Sequence, residues 1–256
     1  MNIFVQFYKS LFSPKDIALF RHQGIGKTIL YVFFLTLLSV LPTVFYSVAG
    51  IMNGFNAIDE TIDNQLPNFE IKNGQLYTDE KAPVTISKDD FTIIVDSTGA
   101  VDPSVLTESG NMIALLTNEV YIRAEGQEQT YPYSMLSGGT ISKSDLSEFL
   151  ASAESLMPII IPLIGIVIYI FAAAIRFIEI SILALAGLLI KKALAKKLEY
   201  RQLWRMSAYS ITLPTIFFTI MSALQTTVQN GAIINWLVSL IILLLAIREV
   251  PAHNPK

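Results

Sequence analysis

Four runs of apolar residues organise the pattern of this chain. They cover residues 28–50, 156–190, 207–225 and 232–247. A helix of about 20 apolar residues is long enough to cross the hydrocarbon core of a bilayer. The pattern therefore predicts a multi-pass α-helical membrane protein with about four transmembrane helices.

Residues 54–154, between the first two runs, follow a different pattern. Asn73-Gly74 separates two short alternating stretches, which predicts a β-hairpin with a type I′ turn and with Ile71 opposite Leu76. Further strands are predicted at 84–87, 91–96, 111–117, 120–124 and 128–133. Residues 91–96 are apolar on both faces, which predicts burial on both sides. We expect a small, inserted β-rich domain.

The second apolar run is 35 residues long and contains Arg176 and Glu179. If it were split at this pair, the lysines that follow it would lie outside the cell, whereas short basic segments stay inside. A single helix of this length measures about 50 Å, against about 30 Å for the hydrocarbon core. We predict one long helix that is tilted or protrudes, entered through a helix start at Ser142 and Asp145, with the ion pair in its inner half.

The first 27 residues predict two short amphipathic helices. Apolar side chains fall on one face of residues 1–12, and Ser13 with Pro14 is typical of the start of a second helix. Two placements stay open for these helices. They lie on the inner membrane surface, or they pack under the transmembrane bundle of the same chain.

Charge is distributed very unevenly along the chain. Residues 54–154 carry seventeen acidic side chains and five basic ones. The segment after the second run is basic, with Glu199 as its one acidic residue. Its basic residues are Lys191, Lys192, Lys196, Lys197, Arg201 and Arg205. They are expected to contact lipid headgroups, at about 1 kcal/mol each.

Basic segments stay in the cytoplasm, and an acidic segment is exported more easily, so the charges predict the topology. Both termini are expected in the cytoplasm of a protein of the cell membrane. The predicted regions are cytoplasmic amphipathic helices at 1–27, a first transmembrane helix at 28–53, an extracytoplasmic β-rich domain at 54–154, helices two to four at 155–250 with a basic cytoplasmic elbow at 191–206, and a cytoplasmic tail at 251–256.

Composition excludes several kinds of chemistry. Apolar residues are 52% of the chain and charged residues 15%, which is typical of a membrane protein. The chain has no cysteine, and its two histidines lie in the predicted cytoplasmic ends. These facts exclude disulfides, cysteine nucleophiles and a histidine-based zinc centre or Ser-His triad in the exported domain. We expect no cofactor, no bound metal, no nucleic-acid partner and no enzymatic activity.

Arg176 and Glu179 form a candidate intramembrane ion pair, since they lie three residues apart on one helix face. A transport or relay role requires polar residues on other helices that face the pair. The candidates are Thr212, Thr215, Thr219, Ser222, Gln225 and Asn235. The alternative, which we favour from sequence, is a structural ion pair near the inner interface.

Three other patterns resemble functional motifs. Tyr131 and Tyr133 are predicted to share one strand face and are candidates for stacking on a sugar ring, but a place in the core is favoured, since aromatic pairs in a small β domain more often form its core. Asp96-Ser-Thr-Gly99 resembles the aspartic-protease loop with one extra residue, and a capped turn is the favoured interpretation. Gly24-Ile-Gly26-Lys27-Thr28 lacks the first glycine of a phosphate loop and is interpreted as a flexible joint.

Several stretches together carry a family resemblance. They are Phe4-Val-Gln-Phe-Tyr-Lys-Ser10-Leu-Phe-Ser-Pro14-Lys-Asp, Gly24-Ile-Gly26-Lys27, residues 91–99 and Leu203-Trp-Arg-Met-Ser-Ala-Tyr209. The chain resembles an uncharacterised family of Gram-positive membrane proteins, domain of unknown function 1189, some of whose members carry the label maltodextrin-utilization protein. Its C-terminal half also resembles Yip1-type membrane proteins, through the basic elbow, Tyr209-Ser210 and Pro214. The resemblance implies location and context, and it transfers no site residues.

Two functions are compatible with these observations. The first is a non-enzymatic accessory or regulatory protein of the cell envelope, linked to maltodextrin uptake, whose outer domain binds a partner. Its partners would be the lipid bilayer, another membrane protein or a second copy of the chain, and a sugar-uptake complex. The alternative is a small oligomeric permease or lipid-handling protein that uses Arg176 and Glu179.

Overall fold

The computed structural model describes residues 2–88, 91–102, 111–124, 127–135 and 139–251. The chain divides into two compact units. Met1–Val48 together with Ile161–Lys256 form a helical unit, and Ala49–Ile160 form a unit that contains all the strands. Two long helices contribute residues to both units.

Seven helices are present among the described residues. They are α1 (Ile3–Phe12), α2 (Pro14–Phe20), α3 (Ile25–Asn64), α4 (Lys143–Ala193), α5 (Tyr200–Ser210), α6 (Thr212–Ala223) and α7 (Gly231–Arg248). By length and composition, α3, α4, α5 with α6, and α7 could each cross a membrane, as the four apolar runs predict.

The two longest helices extend well past the apolar runs that predict them. α4 is one continuous helix of 51 residues, which confirms the single helix over the broken alternative. Its start is capped as predicted, because the Asp145 carboxylate accepts from the Ser142 backbone N–H at 2.7 Å. α3 continues through 40 residues to Asn64, beyond the end expected at residue 50. Both exceed the 20 or so residues that a bilayer requires.

The third apolar run is interrupted by a turn near Pro214, where the proline favours a packing kink. α5 begins at Tyr200, inside the expected basic elbow, and α6 begins at Thr212 after a turn at Ile211. The break follows from Pro214, because proline has no N–H to donate to the Ser210 carbonyl and its ring crowds that oxygen.

The two N-terminal helices pack against the rest of the helical unit. The Ser13 hydroxyl accepts from the Asp16 N–H at 3.2 Å, which confirms the predicted cap. Ile17, Ala18 and Phe20 of α2 are buried, and α2 contacts α5 and α7. The inward faces of α1 and α2 are thus part of the bundle, as the second of the two open placements expected.

α1 presents three of its aromatic residues outward and two polar residues inward. Gln6 and Ser10 are buried, whereas Phe4, Tyr8 and Phe12 are more than half exposed. This arrangement is the reverse of the one expected for a helix in water.

Buried polar side chains continue into the centre of the helical unit. The Tyr209 hydroxyl donates to the Gln6 side-chain oxygen at 2.9 Å. The Tyr31 and Thr212 hydroxyls are hydrogen-bonded at 2.6 Å, and the rings of Tyr31 and Tyr209 lie 4.4 Å apart. These contacts join the N-terminal helices to α3, α5 and α6.

The second unit holds two sheets with their own apolar core. The three-stranded sheet has the order β2-β1-β8, and the five-stranded sheet has the order β3-β4-β5-β6-β7. The strands are β1 (Phe69–Lys72), β2 (Gln75–Thr78), β3 (Val84–Lys88), β4 (Phe91–Val95), β5 (Asn111–Leu115), β6 (Glu119–Ala124), β7 (Gln127–Pro132) and β8 (Ile141–Ser142).

The predicted hairpin is confirmed in detail. Asn73 and Gly74 both have positive φ, at 53° and 78°, as a type I′ turn requires. Ile71 pairs with Leu76 across β1 and β2, and both side chains are buried. β4 is buried on both faces at Ile93, Ile94 and Val95, as its apolar pattern predicts. β4 and β5 pair in parallel, which the sequence pattern did not indicate.

Candidate functional site

Arg176 and Glu179 form an ion pair on α4, with 2.6 Å between the Arg176 Nη1 and the Glu179 Oε2. The other carboxylate oxygen, Oε1, accepts from the Asn235 side-chain amide of α7 at 2.6 Å. Glu179 is buried, at 8% exposed. Each of its oxygens therefore has a donor, and α4 is joined to α7 by a charge-assisted hydrogen bond.

The position of the pair along the helices follows from its contact with Asn235. Asn235 lies four residues after the start of α7 at Gly231, which is about 6 Å along the helix. Glu179 lies fourteen residues before the end of α4 at Ala193, or about 21 Å. Along α4 the pair lies in the half that leads to the basic segment, as expected, and the contact with Asn235 also brings it near the α6–α7 turn; its depth in a membrane stays a prediction.

A groove of about 960 Å³ surrounds this pair within the helical unit. It is formed by residues of α3, α4, α6, α7 and the α6–α7 turn. Its polar lining residues include Ser39, Thr43, Arg176, Glu179, Thr219, Ser222, Gln225, Thr226, Thr227 and Asn235, and its apolar ones include Ile175, Ile178, Ile182, Phe218, Met221, Val228 and Trp236. We call this cavity the polar groove.

The α6–α7 turn contributes a residue with a strained backbone to the lining of the polar groove. Gln225 has a φ of 53°. Its N–H donates to the Ser222 carbonyl at 3.0 Å, and the Thr226 N–H donates to the Met221 carbonyl at 2.9 Å. This is the Schellman helix ending, in which glycine usually holds the left-handed position. Glutamine there is held in a costly conformation while its side chain lines the groove.

A glycine is required where the turn enters α7. A Cβ at Gly231 would lie 2.9 Å from the Phe218 ring of α6. The two helices therefore approach closely at this point, beside the Phe218 ring that lines the groove.

Four of the six polar residues expected to face the ion pair line the polar groove. They are Thr219, Ser222, Gln225 and Asn235. Thr212 instead contacts Tyr31, and Thr215 is buried in the helical unit outside the lining. Ser39, Thr43 and Trp236 also line the groove and are not among the residues expected from sequence. A signal for the first two exists, since they are polar and four residues apart within the first apolar run.

The six basic residues of the predicted elbow divide into two sets. Lys191, Lys196 and Arg205 donate to the carbonyls of Leu198, Val250 and Arg21 respectively, where chain segments of the helical unit end or turn. Lys192 and Lys197 are exposed, and Arg201 is exposed beside Glu199 at 3.4 Å. Contact of all six with lipid headgroups stays a prediction, and the second set has the freer side chains for it.

Tyr131 and Tyr133 do not share a strand face, so this prediction is wrong. β7 ends at Pro132, and Tyr133 begins a short 3-10 helix. Tyr133 is 3% exposed and packs in the core of its unit, whereas Tyr131 is 46% exposed. Burial raises the pKa of the Tyr133 phenol above its ordinary value. The two rings therefore cannot form one stacking platform.

Asp96 is a buried structural carboxylate. Its Oδ1 accepts from the Thr98 N–H at 2.8 Å and from the Thr98 hydroxyl at 2.6 Å, and its Oδ2 accepts from the Val101 N–H at 2.7 Å. Burial by itself raises the pKa of Asp96, but these hydrogen bonds outweigh it and hold the pKa below its ordinary value. Gly99 has a φ of 74°, so the capped-turn interpretation is confirmed.

A cluster of polar side chains around one arginine in the strand unit was not identified from sequence. Arg123 of β6 is 8% exposed. It donates to Glu128 of β7 at 2.7 Å and to the Tyr121 hydroxyl at 2.9 Å. The Arg123 guanidinium holds the pKa of the Glu128 carboxyl below its ordinary value. Arg123 and Glu128 pair across the two strands, so the cluster stabilises the β6–β7 edge of the sheet.

No group of three His, Asp or Glu side chains among residues 2–88, 91–102, 111–124, 127–135 and 139–251 is placed to hold a metal ion. The expected absence of a metal and of a cofactor stays a prediction.

Comparisons with other proteins give one match. The model of a family described as "Protein of unknown function (DUF1189)" matches residues 4–247. No curated protein and no solved structure matches the chain.

Proposed function

The chain belongs to the DUF1189 family, and from this premise we propose that it is a non-enzymatic membrane protein that binds a lipid in the polar groove. The proposal includes four membrane spans, both termini in the cytoplasm and the strand unit outside the cell. Of the two functions expected from sequence, it develops the lipid-handling one.

The observation that carries this proposal is the composition of the polar groove. A charged and amide-lined base, at Arg176, Glu179 and Asn235, lies beside an apolar wall that includes Ile178 and Ile182. Ile178 and Ile182 are exposed on the surface of the helical unit. A cavity with a polar base and an apolar, open side matches a molecule with a polar headgroup and acyl chains.

The exposed surface of the helices supports the membrane setting. In the most apolar window of α4, 6% of the residues are buried inside the structure. Large apolar side chains such as Ile159, Ile170 and Leu189 are more than half exposed. In water such a surface would drive aggregation, whereas in lipid it is solvated.

Lipid retention during purification tests the proposal. The full chain is purified from membranes in a mild detergent, and bound lipids are measured by mass spectrometry. Ser222→Trp fills the groove, and Ile220→Trp places the same ring on an exposed, non-lining position of α6. We expect the wild type and Ile220→Trp to retain lipid and Ser222→Trp to lose it. Equal retention by all three would contradict the proposal.

An accessory role is a second candidate, and one observation favours it. β7 forms an edge of the five-stranded sheet, and residues 127–131 are exposed. The strand has the sequence Gln-Glu-Gln-Thr-Tyr-Pro. Because β7 has a neighbouring strand on one side among the described residues, backbone groups on its other side could pair with a strand of another protein. A link to maltodextrin uptake and a likeness to Yip1-type proteins are part of this proposal only through the resemblance described above.

Site-specific photo-cross-linking tests the accessory role. A photoreactive residue at Gln129 of β7 is compared with one at Glu80, which is exposed and belongs to no strand. A defined protein adduct from position 129 and none from position 80 is expected. Adducts only to lipid or to a second copy of the chain, from both positions, would remove this candidate.

A further inference from the structure

We infer that the polar groove selects an uncharged headgroup rich in hydroxyl groups, that is, a sugar or polyol carried on acyl chains. The inference rests on the proposed lipid-binding function and narrows it to one class of lipid. It follows from the net charge of the groove and from the direction of the hydrogen bonds that its lining already makes.

The charges in the groove cancel. Arg176 and Glu179 are the charged residues among the described groove lining, and they are paired with each other. A phosphate headgroup would bring an anion to a site of zero net charge, next to the buried carboxylate of Glu179. Burying a charge without an opposite charge is costly. Anionic lipids are therefore disfavoured.

Three of the six hydroxyl groups of the lining are already used as donors. Ser39 donates to the Thr36 carbonyl at 2.8 Å, and Thr219 donates to the Thr215 carbonyl at 2.7 Å. Thr226 donates to the Leu224 carbonyl at 3.3 Å. A hydroxyl that donates its one proton keeps its oxygen as an acceptor. The hydroxyl oxygens of these three residues are therefore hydrogen-bond acceptors, and a ligand would pair with them through O–H or N–H groups.

A carboxylate that could bind an ammonium headgroup is already occupied. Both oxygens of Glu179 accept hydrogen bonds, one from Arg176 and one from Asn235. A zwitterionic headgroup would compete with these contacts for the Glu179 carboxylate and would have to desolvate two charges of its own. Arg176 makes one hydrogen bond that the structure shows, and a guanidinium has five N–H donors. Its remaining donors suit neutral oxygens, such as those of a sugar ring.

The groove contains its own fluorescent reporter. Trp236 lines the groove. Trp204, the other tryptophan of the chain, lies outside the lining and is stacked on Phe177. In a Trp204→Phe variant, emission from Trp236 alone reports occupancy of the groove.

The test compares lipids that differ only in their headgroups. The full-length Trp204→Phe chain is placed in phosphatidylcholine nanodiscs and titrated with monoglucosyl diacylglycerol, phosphatidylglycerol and phosphatidylethanolamine, all with brominated chains that quench Trp236. We expect the glucosyl lipid to bind about tenfold more tightly than either phospholipid, a difference of about 1.4 kcal/mol. Thr219→Val, which removes an acceptor, should abolish most of that preference.

The outcomes separate the inference from the proposed function. Equal quenching by all three lipids, or a preference for a phospholipid, would overturn the headgroup inference and leave lipid binding intact. Quenching by none of them above the phosphatidylcholine background would contradict both. Native mass spectrometry of the wild-type chain with the same lipids provides the ranking independently of the tryptophan variant.

Discussion

Buried polar side chains in this chain are held in place in two ways. Asp96 is satisfied by its own loop, through backbone N–H groups two and five residues ahead. Tyr209, by contrast, is satisfied by a side chain about two hundred residues away, at Gln6. The first kind of contact can be predicted from a local motif, whereas the second depends on how the helices pack.

Replacement of Asp96 by Asn should lower the stability of the protein by about 1–3 kcal/mol, because an amide nitrogen would face one of the N–H donors. The pKa of Asp96 is lowered in the folded state. Its stabilising contribution is therefore fully present above the unfolded pKa, near 4, and is lost as the pH falls through the folded value.

Thermal unfolding of both proteins in detergent at several pH values measures this effect. The difference between wild type and Asp96→Asn should be constant at neutral pH and should shrink below about pH 4. A difference that is zero at pH 7 would show that the hydrogen bonds of Asp96 do not stabilise the loop.

Tyr209→Phe should destabilise the helical unit by about 1 kcal/mol, because it removes a buried hydrogen bond and keeps the ring. Tyr8→Phe is the matched control, since Tyr8 is 66% exposed. Melting of the two variants in the same detergent provides the comparison. An equal effect of the two substitutions would contradict the role given to the buried contact.

The ends of helices and strands, and the turns between them, show where local sequence rules succeed and where they do not. Ser13-Pro14 and Asn73-Gly74 were predicted correctly, because a cap and a type I′ turn depend on a few adjacent residues. Pro214 favours a kink in the third apolar run, but the turn at Ile211 could not be predicted, because proline is also common inside continuous membrane helices. The shared strand face of Tyr131 and Tyr133 failed because β7 ends one residue earlier than its pattern suggested.

The end of α4 gives a prediction at the scale of the element. Ala195 has a φ of 50°, and the Ala195 and Lys196 N–H groups donate to the Lys192 and Lys191 carbonyls, so alanine occupies the position that glycine usually holds. Ala195→Gly should stabilise the protein by about 0.5–1 kcal/mol, since the left-handed conformation is strained for alanine.

Ala193→Gly is the control for this element, because Ala193 is the last residue of α4. Glycine there should destabilise the helix by about 0.5–1 kcal/mol. Opposite signs for the two substitutions, measured by chemical unfolding in the same detergent, are the expected result. Destabilisation by both would show that the helix ending is not strained.

At the scale of the whole molecule, the sequence predicted the elements of the site better than their arrangement. The four apolar runs correspond to helices of sufficient length, and four of the six polar candidates line one groove. The contact between Glu179 and Asn235 could not be placed along the bundle from sequence, because it depends on the register between α4 and α7. Ser39 and Thr43 of α3 also line this groove, and their place in it could not be predicted either, because it depends on how the helices pack.

The basic residues and the polar groove belong to opposite ends of the α7 helix. Lys196 donates to the carbonyl of Val250, just after the C-terminal end of α7. Asn235 and the α6–α7 turn lie at its N-terminal end. If basic segments face the cytoplasm, the groove is in the outer half of the membrane. The leaflet from which a lipid would enter the groove therefore depends on the orientation of the chain in the membrane.

Thiol labelling in intact cells tests this orientation most directly, because the chain contains no cysteine of its own. Single cysteines are introduced at Glu80, exposed in the strand unit, and at Lys197, exposed after α4. With a membrane-impermeant maleimide, Glu80→Cys should be labelled in intact cells and Lys197→Cys only after lysis. Labelling of Lys197→Cys in intact cells, with Glu80→Cys protected, would contradict the account.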